Sequence, residues 1–220
     1  MTSTVGRRLL IYGASGHGKV VADLIAQLST WRIAGWVDDQ AALNGRTVCG
    51  APVLGNRSAL PALARKGIRH AIAAIGDNAK RMTAAACLRE AGLQLATVVH
   101  PRAVVAAGVQ LGQGTVVMAG AVINADTVIG DNVIVNTGAT IDHDCRIGNG
   151  VHIAPGVHLA GGVSVGEATL VGIGSCVIPG RSIGPRTIEG AGSAVVTDLP
   201  ADSTCMGVPA RAAKSTVAVR

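Results

Sequence analysis

Residues 103–147 read AVVAAGVQLGQGTVVMAGAVINADTVIGDNVIVNTGATIDHDCRI, and an aliphatic residue returns at every sixth position of the run. Val105, Leu111, Val117, Ile123, Ile129, Val135, Ile141 and Ile147 open the series. Ile153, Leu159, Val165, Val171, Val177 and Ile183 continue it without a slip. Glu189 breaks it, and Val195 resumes it in register. A second column lies two residues before each member. It runs from Ala103, Val109, Thr115 and Ala121 through Cys145 to Ser175, and it is uniformly small or β-branched. Such a period fits neither the helical repeat of about 3.6 nor a sandwich with turns every 8–12 residues or about that. It fits a parallel β-helix, in which short strands alternate with tight corners and each coil stacks on the last. Three units make one coil, so residues 18 apart are expected to stack, Gly161 on His143 among them.

Upstream the pattern changes. Arg8 to Tyr12 is a short apolar run that enters Gly13-Ala14-Ser15-Gly16-His17-Gly18-Lys19, after which Val20, Val21, Leu24, Ile25 and Leu28 recur at helical spacing. This is a strand, a glycine-rich turn and a helix N-terminus, where bare N–H groups and the helix dipole favour a phosphate. Arg32 to Val37 is a second strand ending in Asp38-Asp39, 20 residues after Gly18, where a dinucleotide fold keeps its ribose-binding acid. A helix over 57–66, a strand over 69–75 ending in Gly76, a helix over 79–91 capped by Asn78, and a strand over 93–99 follow. The expected architecture is α/β plus β-solenoid. A small Rossmann-like βαβ domain spans 1–100, a parallel β-helix 101–200, and a C-terminal tail 201–220. The glycine spacing is G-x-x-G-x-G, and the second half of a dinucleotide fold is absent. A mononucleotide or nucleotide sugar therefore fits the turn better than a nicotinamide cofactor, with a purely structural turn as the alternative.

Aromatic residues make up 1% of the chain and Phe is absent, so the core is built from small aliphatics. That argues against single-stranded nucleic-acid binding, which uses aromatic platforms. The net charge of +6 without a basic run suits an anionic ligand rather than a nucleic-acid tail. Five scattered cysteines show no metal or disulfide spacing, so no metal is expected. No signal core and no long apolar stretch is present, which points to a cytoplasmic protein without membrane insertion.

Of six histidines, His70 and His100 read as structural. His143 lies two residues after Ile141, outside the coil, between Asp142 and Asp144. A histidine flanked by carboxylates and facing glycines suits a general base, with surface decoration as the alternative. Cys145 falls in the inward column, so core packing is its expected role.

The whole chain resembles the left-handed β-helix acyltransferases of the hexapeptide-repeat superfamily. It is most similar to the branch of sialic-acid O-acetyltransferases and nucleotide-aminosugar N-acetyltransferases. The carriers are residues 13–18, Asp38-Asp39, 74–76, the repeat, Asn136-Thr137, 141–145, 172–175 and 207–211. The resemblance implies a left-handed coil, where the crossover rule alone would give the right hand. It implies a homotrimer with active sites between adjacent β-helices. It makes His143 the catalytic base and Asp144 its acidic partner, a position where relatives commonly carry Glu. Whether Asp142 or Asp144 orients the ring stays open at this level. His152 matches a residue near the acetyl-CoA thioester, and Ile173 and Ala191 match positions lining the pantetheine arm. Ser15, Gly16, His17, Asp38, Asp39, Gly76 and Asn136 match substrate contacts.

The implied activity is acetyl transfer from acetyl-CoA to the amine of a nucleotide-linked amino-deoxysugar, of UDP-4-amino-sugar or GDP-perosamine type, for surface glycans. The amine attacks directly, and the oxyanion is met by a backbone N–H or by His152. The alternatives are O-acetylation of a sialic acid or similar sugar, and a non-catalytic β-helix binding module. Arg211 and Lys214 could meet CoA phosphates or be ordinary tail charges.

Overall fold

The computed structural model describes residues 6–213, so Lys214 lies outside the described residues. Two compact units are present. Of the described residues, one holds 6–101 with Gln113–Val116, the other Arg102–Gly112 with 117–213.

The first unit contains β1 (Arg7–Tyr12), α1 (Gly16–Ala26), β2 (Trp31–Val37), the small antiparallel pair β3 (Thr47–Val48) and β4 (Ala51–Pro52), α2 (Leu60–Arg65), β5 (His70–Ala73), α3 (Asn78–Glu90) and β6 (Gln94–Leu95). Its parallel sheet has the order β2-β1-β5-β6. β1 is buried on both faces, and Leu9, Leu10 and Ile11 are fully enclosed. A continuous apolar run is what a sheet covered by helices on both sides requires. α1 packs Val21, Leu24 and Ile25 inward. Gly18 is obligatory, because a Cβ there would overlap the carbonyl oxygen of Gly13.

Two local expectations change. The cap of α3 is Asp77, not Asn78. Asp77 is extended and accepts the Lys80 N–H at 2.8 Å, while Asn78 has entered the helix and accepts from Arg81. The segment 93–99 is two short strands, Gln94–Leu95 and Val98–Val99, because only its first part pairs with β5.

The second unit is a solenoid whose coils, up to Ala194–Val195, place two-residue strands in parallel register on three sheets. Pairing runs in steps of 18, as in Val122↔Thr140↔His158↔Cys176↔Ala194. Both columns read from the sequence point inward. Ile123, Ile141 and Val195 of the ladder, and Ala121, Cys145 and Val163 of the small column, have no exposed surface. Each buried aliphatic contributes about 1.5–3 kcal/mol over its exposed state. The corners carry a residue with positive φ at every sixth position, from Gly108 to Gly192. Asp126, Asn132, Asp144, Ala168 and Arg186 take that conformation in place of glycine. Residues 201–213, set apart in sequence as a tail, extend the solenoid. Thr204–Met206 pairs with Ile188–Glu189, and Arg211–Ala212 folds back antiparallel on it. Among the described residues no helix is long and apolar enough to cross a membrane.

The ladder's fault, Glu189, still points inward and is 1% exposed. Neither carboxyl oxygen makes a hydrogen bond. The Ser175 hydroxyl and the Gly172 N–H favour the anion from nearby without reaching bonding geometry. Burial outweighs them and pushes the carboxyl up to about 8. The folded chain thus holds a proton that the unfolded chain releases above its ordinary value of 4.5. Stability therefore falls as pH rises from that value towards about 8, and then levels. Glu189→Leu, which restores the ladder, should stabilise by about 1–3 kcal/mol at pH 8 and by much less at pH 5. Thermal melts at the two pH values measure this, and an equal or negative change at both would contradict it.

Candidate active site

A cavity of about 700 Å³ opens in the first unit at the carboxyl ends of β1, β2 and β5. The connections from β1 to β2 and from β2 to β5 run in opposite directions here, the place where open α/β sheets hold ligands. Gly13 and Ser15 line it from the turn into α1, Asp38 and Asp39 from the end of β2, and Gly76 and Asp77 from the end of β5. Ser15 makes no side-chain capping bond and the first turn of α1 carries no acid, which leaves that helix end suited to an anion.

The two aspartates do not play the same part. Asp38 accepts the Ala14 N–H at 2.7 Å and the Gln40 N–H at 2.8 Å, one on each oxygen. Each oxygen keeps a lone pair for a ligand hydroxyl. Asp39 is saturated at Oδ2. Its Oδ2 accepts the Tyr12 hydroxyl at 2.6 Å and the Arg57 guanidinium through Nη2 at 2.6 Å and Nε at 3.1 Å. Its Oδ1 accepts the Arg57 N–H at 3.1 Å. Arg57 and Tyr12 together hold the Asp39 carboxyl down at about 2. Asp39 Oδ2 is therefore tied into the wall, whereas Asp38 keeps both oxygens open to a ligand hydroxyl.

His17 and Gly16 are not among the residues that line the cavity. Burial, followed by Arg81, drives the His17 imidazole down to about 4, so it is neutral at physiological pH and offers no cation to a phosphate. Sequence reasoning missed Tyr12, Arg57, Lys80 and Arg81. Arg81 is buried and donates to the carbonyls of Ile75 and Gly76, fixing the loop between β5 and α3. Its place on the apolar side of α3 was the available signal.

In the second unit His143 stands on the corner after Thr140–Ile141. Its Nδ1 lies 2.7 Å from Asp144 Oδ2. Asp142 instead accepts the His143 backbone N–H at 2.8 Å and the Asn124 amide at 2.9 Å, through the same oxygen. Asp144 is thus the ring's partner, and Asp142 fixes the corner. The Asp144 hydrogen bond, with the charge of Asp142, raises the His143 pKa above its ordinary value of 6.5. With Nδ1–H on Asp144, Nε2 carries the lone pair. The ring lies over Gly161, where a Cβ would come within 2.6 Å of Cε1 and Nε2. The stacking expected from the 18-residue step therefore holds, but the imidazole fills the space above the glycine. Cys145 is buried and donates to the Ala160 carbonyl, consistent with packing.

Asn136, Ile173 and Ala191 belong to a different corner, one step earlier in each coil, and His152 opens a strand beside it. Asn136 Oδ1 accepts the Thr137 N–H at 2.8 Å, so its amide nitrogen faces His152 Nε2 at 3.1 Å and donates to it. Ile173 is 59% exposed on this corner. One chain therefore does not bring His143 and His152 together. Among the described residues no group of three or more His, Cys, Asp or Glu could hold a metal ion.

Residues 8–87 match the profile of the PglD N-terminal domain, and residues 126–161 match bacterial transferase hexapeptide (six repeats). A search of curated protein sequences returned no match. Among solved structures, PerB from Caulobacter crescentus, in complex with CoA and GDP-perosamine, is 44% identical over 97% of this chain and 100% of its own, with a TM-score of 0.90. The acetyltransferase domain of PglB from Neisseria gonorrhoeae is 38% identical over 94% of this chain and 100% of its own, with a TM-score of 0.88. WeeI from Acinetobacter baumannii is 27% identical over the same shares, with a TM-score of 0.83. With two relatives this similar along their whole length, and with both of its units matched, the chain belongs to the hexapeptide-repeat family of left-handed β-helix acetyltransferases.

Proposed function

We propose that this protein transfers the acetyl group of acetyl-CoA to the amino group of a nucleotide-linked amino-deoxysugar of the GDP-perosamine type. The observation that carries the proposal is the His143–Asp144 pair at 2.7 Å, with Nε2 left as acceptor over Gly161. The similarity to PerB with CoA and GDP-perosamine bound supports the substrate class. The cavity beside Gly13, Ser15 and Asp38 is the candidate site for the nucleotide.

In this mechanism the neutral amine attacks the thioester carbonyl, and His143 Nε2 takes the proton the nitrogen sheds. Asp144 holds the tautomer and stabilises the imidazolium that forms. The proton then passes to the departing CoA sulfur, so no acyl-enzyme is needed. The Gly161 N–H, which makes no hydrogen bond among the described residues, is the candidate donor to the oxyanion. His152, Ile173 and Ala191 form the candidate CoA corner, and Asn136, the expected substrate contact, shares it through its bond to His152.

The His143 ring is 61% exposed in a single chain, too open for a site that must exclude water. The sheet between the two corners presents Val104, Val122, Thr140, His158, Cys176 and Ala194 outward, a column without formal charge apart from one titratable histidine. A homotrimer in which the CoA corner of one copy meets the His143 corner of the next accounts for both features. The five cysteines form no disulfide among themselves, which suits a reducing cytoplasm.

His143→Ala should lower kcat by roughly 10²–10⁴-fold and leave nucleotide-sugar affinity unchanged. Thiol release from acetyl-CoA and calorimetry read the two, and near-normal turnover would remove the assignment. Gly161→Ala should cost roughly tenfold to a hundredfold in kcat by displacing the ring, with Tm little changed. Only the neutral imidazole accepts a proton, so the raised His143 pKa puts the acid limb of kcat/KM above 6.5. Asp144→Asn should shift that limb down towards 6.5, and a pH–rate profile with an unmoved midpoint would exclude Asp144 as the partner.

A further inference from the structure

The hydrogen bonds along the end of β2 give the cavity a direction. Asp38 ties the Ala14 N–H of the glycine-rich turn to the Gln40 N–H. Asp39, the next residue, ties β1 through Tyr12 to Arg57. From the anion-ready end of α1 the wall thus leads past a carboxylate suited to ribose and reaches a guanidinium. A nucleoside diphosphate laid along it with its phosphates at α1 brings its base to Arg57.

Arg57 is held in a particular way. Its Nε–H and one Nη2–H both go to Asp39 Oδ2, which the Tyr12 hydroxyl also reaches. A guanidinium has five N–H groups in a fixed plane. Three remain, and two of them, on Nη1 and Nη2, form the end-on edge. That edge is a parallel pair of donors, and it matches two adjacent acceptors on one edge of a base. Guanine O6 and N7 are such a pair. Adenine puts an amino donor beside N7, and uracil puts N3–H between its carbonyls. Cytosine also has adjacent acceptors, O2 and N3, but O2 flanks the glycosidic bond, so that pair lies nearer the ribose than guanine O6, and a base reached at its outer end favours guanine.

We infer that Arg57, held in place by Asp39 and Tyr12, is the residue that selects a guanine nucleotide, reading O6 and N7 with its end-on edge. The inference rests on the proposal that the first unit holds the nucleotide of the sugar substrate. Asp39 is ionised throughout the working pH range, so the guanidinium stays in place when the site is empty. Tyr12 and Asp39 are positioning residues, and Arg57 makes the contact.

Isothermal titration of the full chain with GDP, 7-deaza-GDP, ADP, CDP and UDP tests this, repeated on Arg57→Lys. Lysine keeps the charge and loses the planar edge. The wild type should bind GDP most tightly. It should lose roughly tenfold with 7-deaza-GDP, which lacks only the N7 acceptor. Arg57→Lys should bind GDP and 7-deaza-GDP equally, near the level of UDP, with Tm unchanged. Equal binding of GDP and 7-deaza-GDP by the wild type would overturn the inference. So would CDP as tight as GDP, or a uniform loss for all five ligands in Arg57→Lys, the mark of a phosphate contact. In each of these cases the nucleotide site itself survives. Absence of binding by all five would instead remove the nucleotide reading of the first unit, and this inference with it.

Discussion

A corner that must turn sharply at every sixth residue governs this molecule. The turn needs one residue with positive φ, a conformation that glycine adopts at little cost and that Asp and Asn tolerate better than other side chains. From Gly108 to Gly192 the solenoid meets that demand, and the column two residues before each ladder position stays small enough to let the corners close. Asp144 is one of the non-glycine solutions, at φ 59°. Its short carboxylate leaves the corner beside His143 at bonding distance. A position that the coil would ordinarily give to glycine thus carries the partner of the proposed base. Backbone strain at such a site is expected where function requires the side chain.

The first unit solves a different problem with charge. The ends of three parallel strands need partners for their loops, and Asp38, Asp39 and Arg81 supply them. Arg81 is enclosed and bonded to two carbonyls and an amide oxygen, and burial lowers its pKa to about 10, still well above physiological pH. These groups hold the cavity open before any ligand arrives, which reduces the ordering that binding would otherwise require.

The solenoid was legible in the sequence because one interaction repeats. Every coil places the same residue type at the same point, so fourteen ladder positions report one geometry. His143 was legible for the same reason, since register put it outside and Gly161 beside it. The roles of Asp38 and Asp39 were not. Their difference is set by Arg57, which reaches Asp39 from 18 residues on, at the start of the tight turn 57–59 that leads into α2. No periodicity marks such a contact. The shift of the α3 cap from Asn78 to Asp77 turned on one residue's extended backbone, and the break within 93–99 on where pairing with β5 ends.

The 18-residue register also makes the protein a ruler. Neighbouring strands lie about 4.8 Å apart, so each coil marks one graduation along the axis. Asn136, Ala154, Gly172 and Gly190 occupy equivalent points on one corner, in successive coils. That corner is a strip with fixed marks, about 14 Å from first to last. An extended acyl-carrier arm lying against it would be measured by coil count. Adding or deleting a whole coil between His152 and Ala191 would change the length of the strip by one graduation and leave the side chains of each mark untouched. The reach of such a strip can therefore change only in whole steps, by an insertion that adds eighteen residues and alters none.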